Sequence, residues 1–222
     1  MRDELSAAGG LLLAKTIEHP FWDGLRNGTL RPDSLWYFAE QDTRYVVPTY
    51  ARALARAAAI ADQDAYSAML CAAASATFDA VTRMTAELTT LAKELGRRVE
   101  NAAVTPAGRT LHGHVSFMVA ATTTSFAAGI GGLLPMTWFH LKVSSDLKER
   151  RKPGSRYVAW INRYCPGEGY QEYVNAYLDM VDEVGGRCSA SERDQLVEHF
   201  LLGARYELAF ADAAWQRQAW AS

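Results

Sequence analysis

The side chains with the most chemistry to offer lie on two helical stretches far apart in the chain. In Glu40-Gln41-Asp42-Thr43-Arg44-Tyr45, Asp42 and Tyr45 are three residues apart and share a helix face, with apolar Phe38 and Val46 nearby. A carboxylate turned toward an apolar core is costly unless a partner or a ligand meets it. Two readings follow: Asp42 is held for a ligand, or it lies on the solvated face and pairs with Arg44. Toward the C-terminus, Glu207 falls six residues after Leu201 and three before Phe210, at the edge of a stripe formed by Phe200, Leu201 and Leu208. Two carboxyl groups on different helices, each among aromatics, suit acid/base work, because burial raises a carboxyl pKa. The alternative is a pair of surface acids.

A third candidate is Gly131-Gly132-Leu133-Leu134-Pro135-Met136-Thr137-Trp138-Phe139-His140. Met136 and His140 are one turn apart, and Pro135 frees a backbone carbonyl beside them, so this segment could line a pocket. The plainer reading makes Met136 a gap-filler and His140 a hydrogen-bonded core residue. The five histidines form no Glu-x-x-His pair, so no metal site is expected. One histidine would suffice for haem, but a lone histidine is far more often structural. Phosphate loops, dinucleotide fingerprints and the Gly-x-Ser-x-Gly elbow are absent, and no cofactor is expected. Cys71, Cys165 and Cys188 contain no Cys-x-x-Cys pair, which argues against a disulfide frame or a zinc knuckle and for a reducing cytoplasm.

The elements that must position these groups read as helices throughout. The 222 residues are 49% hydrophobic and 22% charged, enough to build a core and to exclude intrinsic disorder. A net charge of −2 gives no basic field for nucleic acid or an anionic membrane. Val115 to Leu141 is broken by threonines, glycines and Pro135 and reads as a buried helix pair rather than a membrane span. The charged Arg2-Asp3-Glu4 start speaks against a signal peptide. A helix begins at Arg31-Pro32-Asp33-Ser34 and runs to about Ile60, with a kink expected at Pro48. A second spans Asp64 to Leu95, stopped by Gly96, and Arg97 to Val104 is a loop. Helices follow from Thr105-Pro106 to about Thr124 and on to Arg150, with a kink expected at Pro135. After a break at Lys152-Pro153-Gly154-Ser155 come Arg156 to Tyr164, Gln171 to Val184 and Ser189 to about Trp220, with Ser191-Glu192 near the last cap. No linker or repeat divides residues 1–222. The expectation is one all-α domain of about eight helices.

Six short segments, read together, resemble the TenA family (thiaminase II, aminopyrimidine aminohydrolase). They are His19-Pro20-Phe21, Gly28-Thr29-Leu30, Phe38-x-x-Gln41-Asp42-x-x-Tyr45, Leu133-Leu134-Pro135-x-x-Trp138, Tyr157-x-x-Trp160-Ile161-x-x-Tyr164 and Tyr206-Glu207-x-x-Phe210. Each alone is weak, but their order and spacing agree over nearly the whole chain. The resemblance implies a haem-oxygenase-like helical bundle assembled as a homo-oligomer, a tetramer or dimer. It implies that Asp42 binds an aminopyrimidine, that Tyr45, Trp138 and Tyr164 wall the pocket, and that Glu207 is the acid/base group. The family's nucleophilic cysteine, directly after Leu-Pro, is here Met136. A thioether has no proton to lose and supplies no thiolate. His140 stands where the family has a tyrosine, and after Thr105-Pro106 another family tyrosine is missing near Leu111, His112 and His114.

The function expected from this is TenA-like hydrolysis of a C–N bond on an aminopyrimidine or related small heterocycle, of thiamine-salvage type, without a cysteine nucleophile. Glu207 would activate water, and His140, with an unperturbed pKa near 6.5, would relay a proton. Met136 would remain as a substrate contact. The competing readings are an enzyme repurposed for another small molecule in a specialised pathway, and a ligand-binding or regulatory protein without catalysis.

Overall fold

The computed structural model describes residues 1–97 and 105–220, so most of the expected loop from Arg97 to Val104 lies outside the described residues. The described elements are ten α-helices and one π-helical turn, with no strand among the described residues. They are α1 (Arg2–Ile17), α2 (Pro20–Asn27), α3 (Pro32–Gln41), a π turn (Asp42–Val46), α4 (Val47–Ala59), α5 (Asp64–Glu94) and α6 (Arg109–Thr124). The series closes with α7 (Phe126–Arg150), α8 (Val158–Tyr164), α9 (Tyr170–Arg187) and α10 (Ala190–Gln216). No described helix is long and apolar enough to cross a membrane.

The all-α expectation holds, but the count exceeds eight because two helices precede Arg31. The apolar residues of α1 are spread around its circumference, so no stripe announces it. The short α2 is set by its ends. Pro20 occupies the first turn, the His19 ring nitrogen Nδ1 accepts from the Phe21 N–H at 3.1 Å, and Gly28 closes the helix at φ +79°. The cap of α10 is Ser189 rather than Ser191, with Glu192 completing a capping box.

The helix expected to kink at Pro48 changes register one turn earlier. Its carbonyl at Asp42 is met by the N–H of Val47, five residues on. A proline ring clashes with the carbonyl four residues back in a regular α-helix, and the wider π turn just before Pro48 accommodates it. By contrast, α7 stays helical on both sides of Pro135.

The core runs through the middle of the bundle, where Phe21, Phe139, Phe200 and Tyr177 are fully buried. Helices α7 and α10 approach closely at glycines. A Cβ on Gly203 would lie 2.7 Å from the Gly132 carbonyl oxygen, and one on Gly131 would meet the Leu196 carbonyl. One turn beyond Gly203, this approach delivers Glu207 to the face of α7 that carries Met136 and His140. Two hydrogen bonds pin the start of α8 to the α2–α3 connection: Ser155 Oγ donates to the Leu25 carbonyl at 2.7 Å, and Tyr157 Oη to the Leu30 carbonyl at 2.5 Å. They explain why the Gly28-Thr29-Leu30 and Tyr157 segments belong together.

Candidate active site

A cavity of about 970 Å³ opens among α3, the π turn, α4, α5 and α7 to α10. Asp42 enters it from the π turn and Glu207 from α10, with Met136, His140 and Tyr164 around them. Asp42 is buried, and Arg44 turns away to Glu40, 3.5 Å distant, so the pairing of Asp42 with Arg44 does not form. Burial alone pushes the Asp42 carboxyl up to about 7. Glu207 is pushed up to about 8, first by burial and then by the negative charge of Asp42 across the cavity. Neither acid has a cation among the described residues to hold it ionised. Near neutrality Asp42 is divided between its two forms, and Glu207 is mostly protonated.

The histidines nearby do not change that balance. The His114 ring nitrogen Nε2 lies 3.6 Å from Glu207 Oε1, its Nδ1 has no partner among the described residues, and its ring stacks on Tyr206. Burial lowers its pKa to about 3, so it sits beside Glu207 as a neutral polar group. His140 Nδ1 is 3.1 Å from Tyr164 Oη, and burial lowers its pKa to about 4. The premise of a histidine titrating near 6.5 is therefore corrected: His140 is a neutral hydrogen-bond partner of Tyr164. The cavity wall continues through Trp22, Phe38 and Phe210, with Phe38 stacked on Phe210 at a centroid distance of 4.7 Å. This makes an aromatic wall beside two acids.

None of the three cysteines lines the cavity. Cys165 is buried and donates to the Ser144 carbonyl, and burial pushes its thiol up, away from the reactive thiolate. Among the described residues no group of three or more His, Cys, Asp or Glu side chains converges as a metal site would require.

The profile of the TENA/THI-4/PQQC family matches residues 11–217. The chain belongs to that family. It is 26% identical to the aminopyrimidine aminohydrolase of Bacillus subtilis over 91% of this chain and 84% of that protein. It is 28% identical to the aminopyrimidine aminohydrolase of Halalkalibacterium halodurans over 91% and 89% of the two chains. Among solved structures, a TenA homologue from P. horikoshii OT3 superposes with a TM-score of 0.79 at 27% identity, covering 96% of this chain and 97% of its own.

Two TenA motif residues expected at the pocket wall lie elsewhere. Tyr45 is outside the cavity, and its hydroxyl donates to the Thr105 carbonyl at 2.9 Å. An i→i+5 turn needs more residues per revolution than an α-turn, so three residues past Asp42 fall short of the same face. Gln41 works alongside it: its amide donates to the Thr105 and Pro106 carbonyls, and its oxygen accepts from the Gly108 N–H. Both residues clamp the chain entering α6. Trp138 is buried against Phe200, at 5.9 Å between ring centroids, and also lies off the cavity. Two residues past Met136 is about 200° around a helix, which carries Trp138 to the opposite side of α7.

Sequence reasoning brought Asp42, Glu207, Met136, His140 and Tyr164 together and missed Trp22, Tyr50, Tyr170 and Tyr173, which also line the cavity. Trp22 follows the His-Pro-Phe segment directly, and Tyr170 and Tyr173 share a face at the start of α9, so both carried a readable signal. Tyr50 did not, because the π turn shifts its phase relative to Asp42.

Proposed function

We propose that the chain is a hydrolase that cleaves a C–N bond on an aminopyrimidine or related flat heterocycle, the thiamine-salvage type of reaction. The names of its relatives supply the substrate class. The observation that carries the chemistry is a buried and a half-buried carboxyl group, Asp42 and Glu207, without a cation among the described residues, facing one aromatic cavity that holds Met136 in place of a thiol.

In this reading the ring lies against the aromatic wall of Phe38, Phe210 and Tyr164. Ionised Asp42 accepts hydrogen bonds from the exocyclic amino group. Protonated Glu207 gives its proton to the departing nitrogen as the C–N bond breaks, and water forms the new C–O bond. The Glu207 carboxylate then recovers a proton from that water, so an aminomethyl group becomes a hydroxymethyl group and ammonia leaves. No covalent intermediate on the protein is involved. His140 stays neutral and holds Tyr164 beside the substrate.

The whole chain acts as one domain in this account, in the cytoplasm and as a homo-oligomer. Sedimentation as a monomer at micromolar concentration would remove the last point. Ammonia release from an aminomethyl-substituted aminopyrimidine, with thiamine as the comparison, tests the function. The expected result is ammonia release that Glu207→Gln lowers by about a hundredfold or more, the range for losing an acid/base group, with thiamine turned over poorly. Rapid thiamine cleavage that survives Glu207→Gln would contradict it. The size of the cavity supports a second reading, an enzyme of this family acting on a larger molecule, and the two share the same acids.

A further inference from the structure

Behind Glu207, outside the cavity, lies a polar side chain that the reaction has not yet used. His114 on α6 is buried and is not part of the cavity wall, yet its Nε2 is 3.6 Å from Glu207 Oε1. The ring is held flat against Tyr206, 5.1 Å between centroids, and Tyr206 stacks in turn on Phe117. The start of α6 is fixed from two directions. Gln41 Oε1 accepts from the Gly108 N–H at 3.0 Å, and Thr110 Oγ1 donates to Gln218 Oε1 at 2.6 Å. A phenylalanine would stack on Tyr206 equally well. The histidine instead buries an Nδ1 that has no partner among the described residues, a cost that a purely packing role does not repay.

We propose that His114 is a positioning residue for Glu207: its Nε2–H faces Oε1, leaves the acid proton on Oε2, and closes on the carboxylate as that proton departs. A neutral imidazole carries one N–H. On Nδ1 it would be a donor buried without an acceptor; on Nε2 it faces a carboxyl oxygen, so the second tautomer is favoured. At 3.6 Å the contact is too long for a hydrogen bond to the neutral acid. A hydrogen bond to a carboxylate spans about 2.7–2.9 Å, and rotation of the flexible Glu207 side chain covers the difference. The interaction is thus weak in the protonated acid and strong in the anion, the kind of difference that lowers a barrier. Glu207 is faced by Asp42 from the π turn, His140 from α7, Tyr164 from α8 and Tyr170 from α9. Burial keeps both tyrosines protonated and His140 uncharged, so none of these is a cation that would take over the task. The arginines lining the cavity do not pair with Glu207 either: Arg163 meets Glu94 at 2.6 Å, and Arg83 is exposed. The direction of proton transfer rests on the function proposed above; the contact with Glu207 rests on the geometry alone.

Three variants test this. His114→Phe keeps the stack and removes the donor, His114→Gln keeps a donor the same number of bonds from the backbone, and His114→Met matches glutamine in length without one. The first readout is carbon-13 titration of Glu207 in the unliganded protein. Its midpoint should move up by about one pH unit in His114→Phe and His114→Met, a tenfold effect at the low end for a hydrogen bond to a charged group, and return toward the parent value in His114→Gln. The second is ammonia release from the aminomethyl-substituted aminopyrimidine. There kcat should fall about tenfold in the two donor-less variants and recover in His114→Gln, with KM within about twofold throughout, because a weaker acid gives up its proton less readily and His114 does not touch the substrate. A midpoint that stays put in the donor-less variants, a glutamine that behaves like methionine, or a shifted midpoint with kcat unchanged overturns the role. A parent that releases no ammonia overturns the function proposed above instead, and the titration still decides the contact. Should His114→Phe not fold, the comparison of His114→Gln with His114→Met carries the same test.

Discussion

Two places in this bundle bury charge-bearing groups, and they treat them in opposite ways. Under α2, Arg26 is 2% exposed and paired: its Nη1 meets Asp146 and donates to the Ile17 carbonyl, and Asp146 also receives Arg150 at 2.9 Å. In the cavity, Asp42 is buried and Glu207 half-buried, yet neither meets a cation among the described residues, and the charge of Asp42 raises the cost of ionising Glu207. The first arrangement holds helices α1, α2 and α7 together. The second weakens the unliganded protein and is sensible only if something arrives to use it. Unpaired burial, rather than burial itself, separates the site from the scaffold.

The sharpest break of this comparison is to remove one partner from the paired region. Arg26→Met leaves Asp146 with Arg150 alone and takes the donor from the Ile17 carbonyl, and chemical denaturation should show a loss of about 1–3 kcal/mol. The same kind of neutralisation in the cavity should act in the other direction. Asp42→Asn and Glu207→Gln should each stabilise the unliganded protein by about 1–3 kcal/mol while removing ligand binding or turnover. The pH dependence carries the same sign. Burial raises Asp42 to about 7 and Glu207 to about 8, while in the unfolded chain both titrate at about 4. Across that window the unfolded chain releases protons that the folded one keeps, so stability falls as pH rises. Melting temperatures recorded from pH 4 to 8 should slope downward in the parent and flatten in the double variant. A smaller effect is expected at Tyr45, which the cavity does not include. Tyr45→Phe should cost about 0.5–1.5 kcal/mol through the lost bond to Thr105 and leave affinity for any cavity ligand as it was.

How much of this was legible in the sequence depends on which periodicity was in force. Where the chain is regular α-helix, spacing was a sound guide: Met136 and His140, one turn apart, do line the cavity together, and Glu207 sits where the apolar stripe of α10 meets it. Where Asp42 begins a π turn, α-helical spacing misled, joining Tyr45 to the site and hiding Tyr50. Trp138 fails for a different reason. Its place in a family motif signals a role, and the packing against Phe200 shows that role to be in the core. The pKa of His140 was not readable at all, because desolvation depends on what other helices place around the ring. Helices α1 and α2 escaped because capping and tertiary contacts, rather than an amphipathic stripe, define them.

The central claim is that the cavity holds Glu207 as a protonated acid at neutral pH. Carbon-13 NMR of the glutamate side-chain carboxyls, with the Glu207 resonance assigned by its loss in Glu207→Gln, reads that directly in the unliganded protein. The account predicts a titration midpoint near 8, moving down when Asp42→Asn removes the neighbouring charge. A midpoint at about 4, where an exposed glutamate titrates, would contradict it.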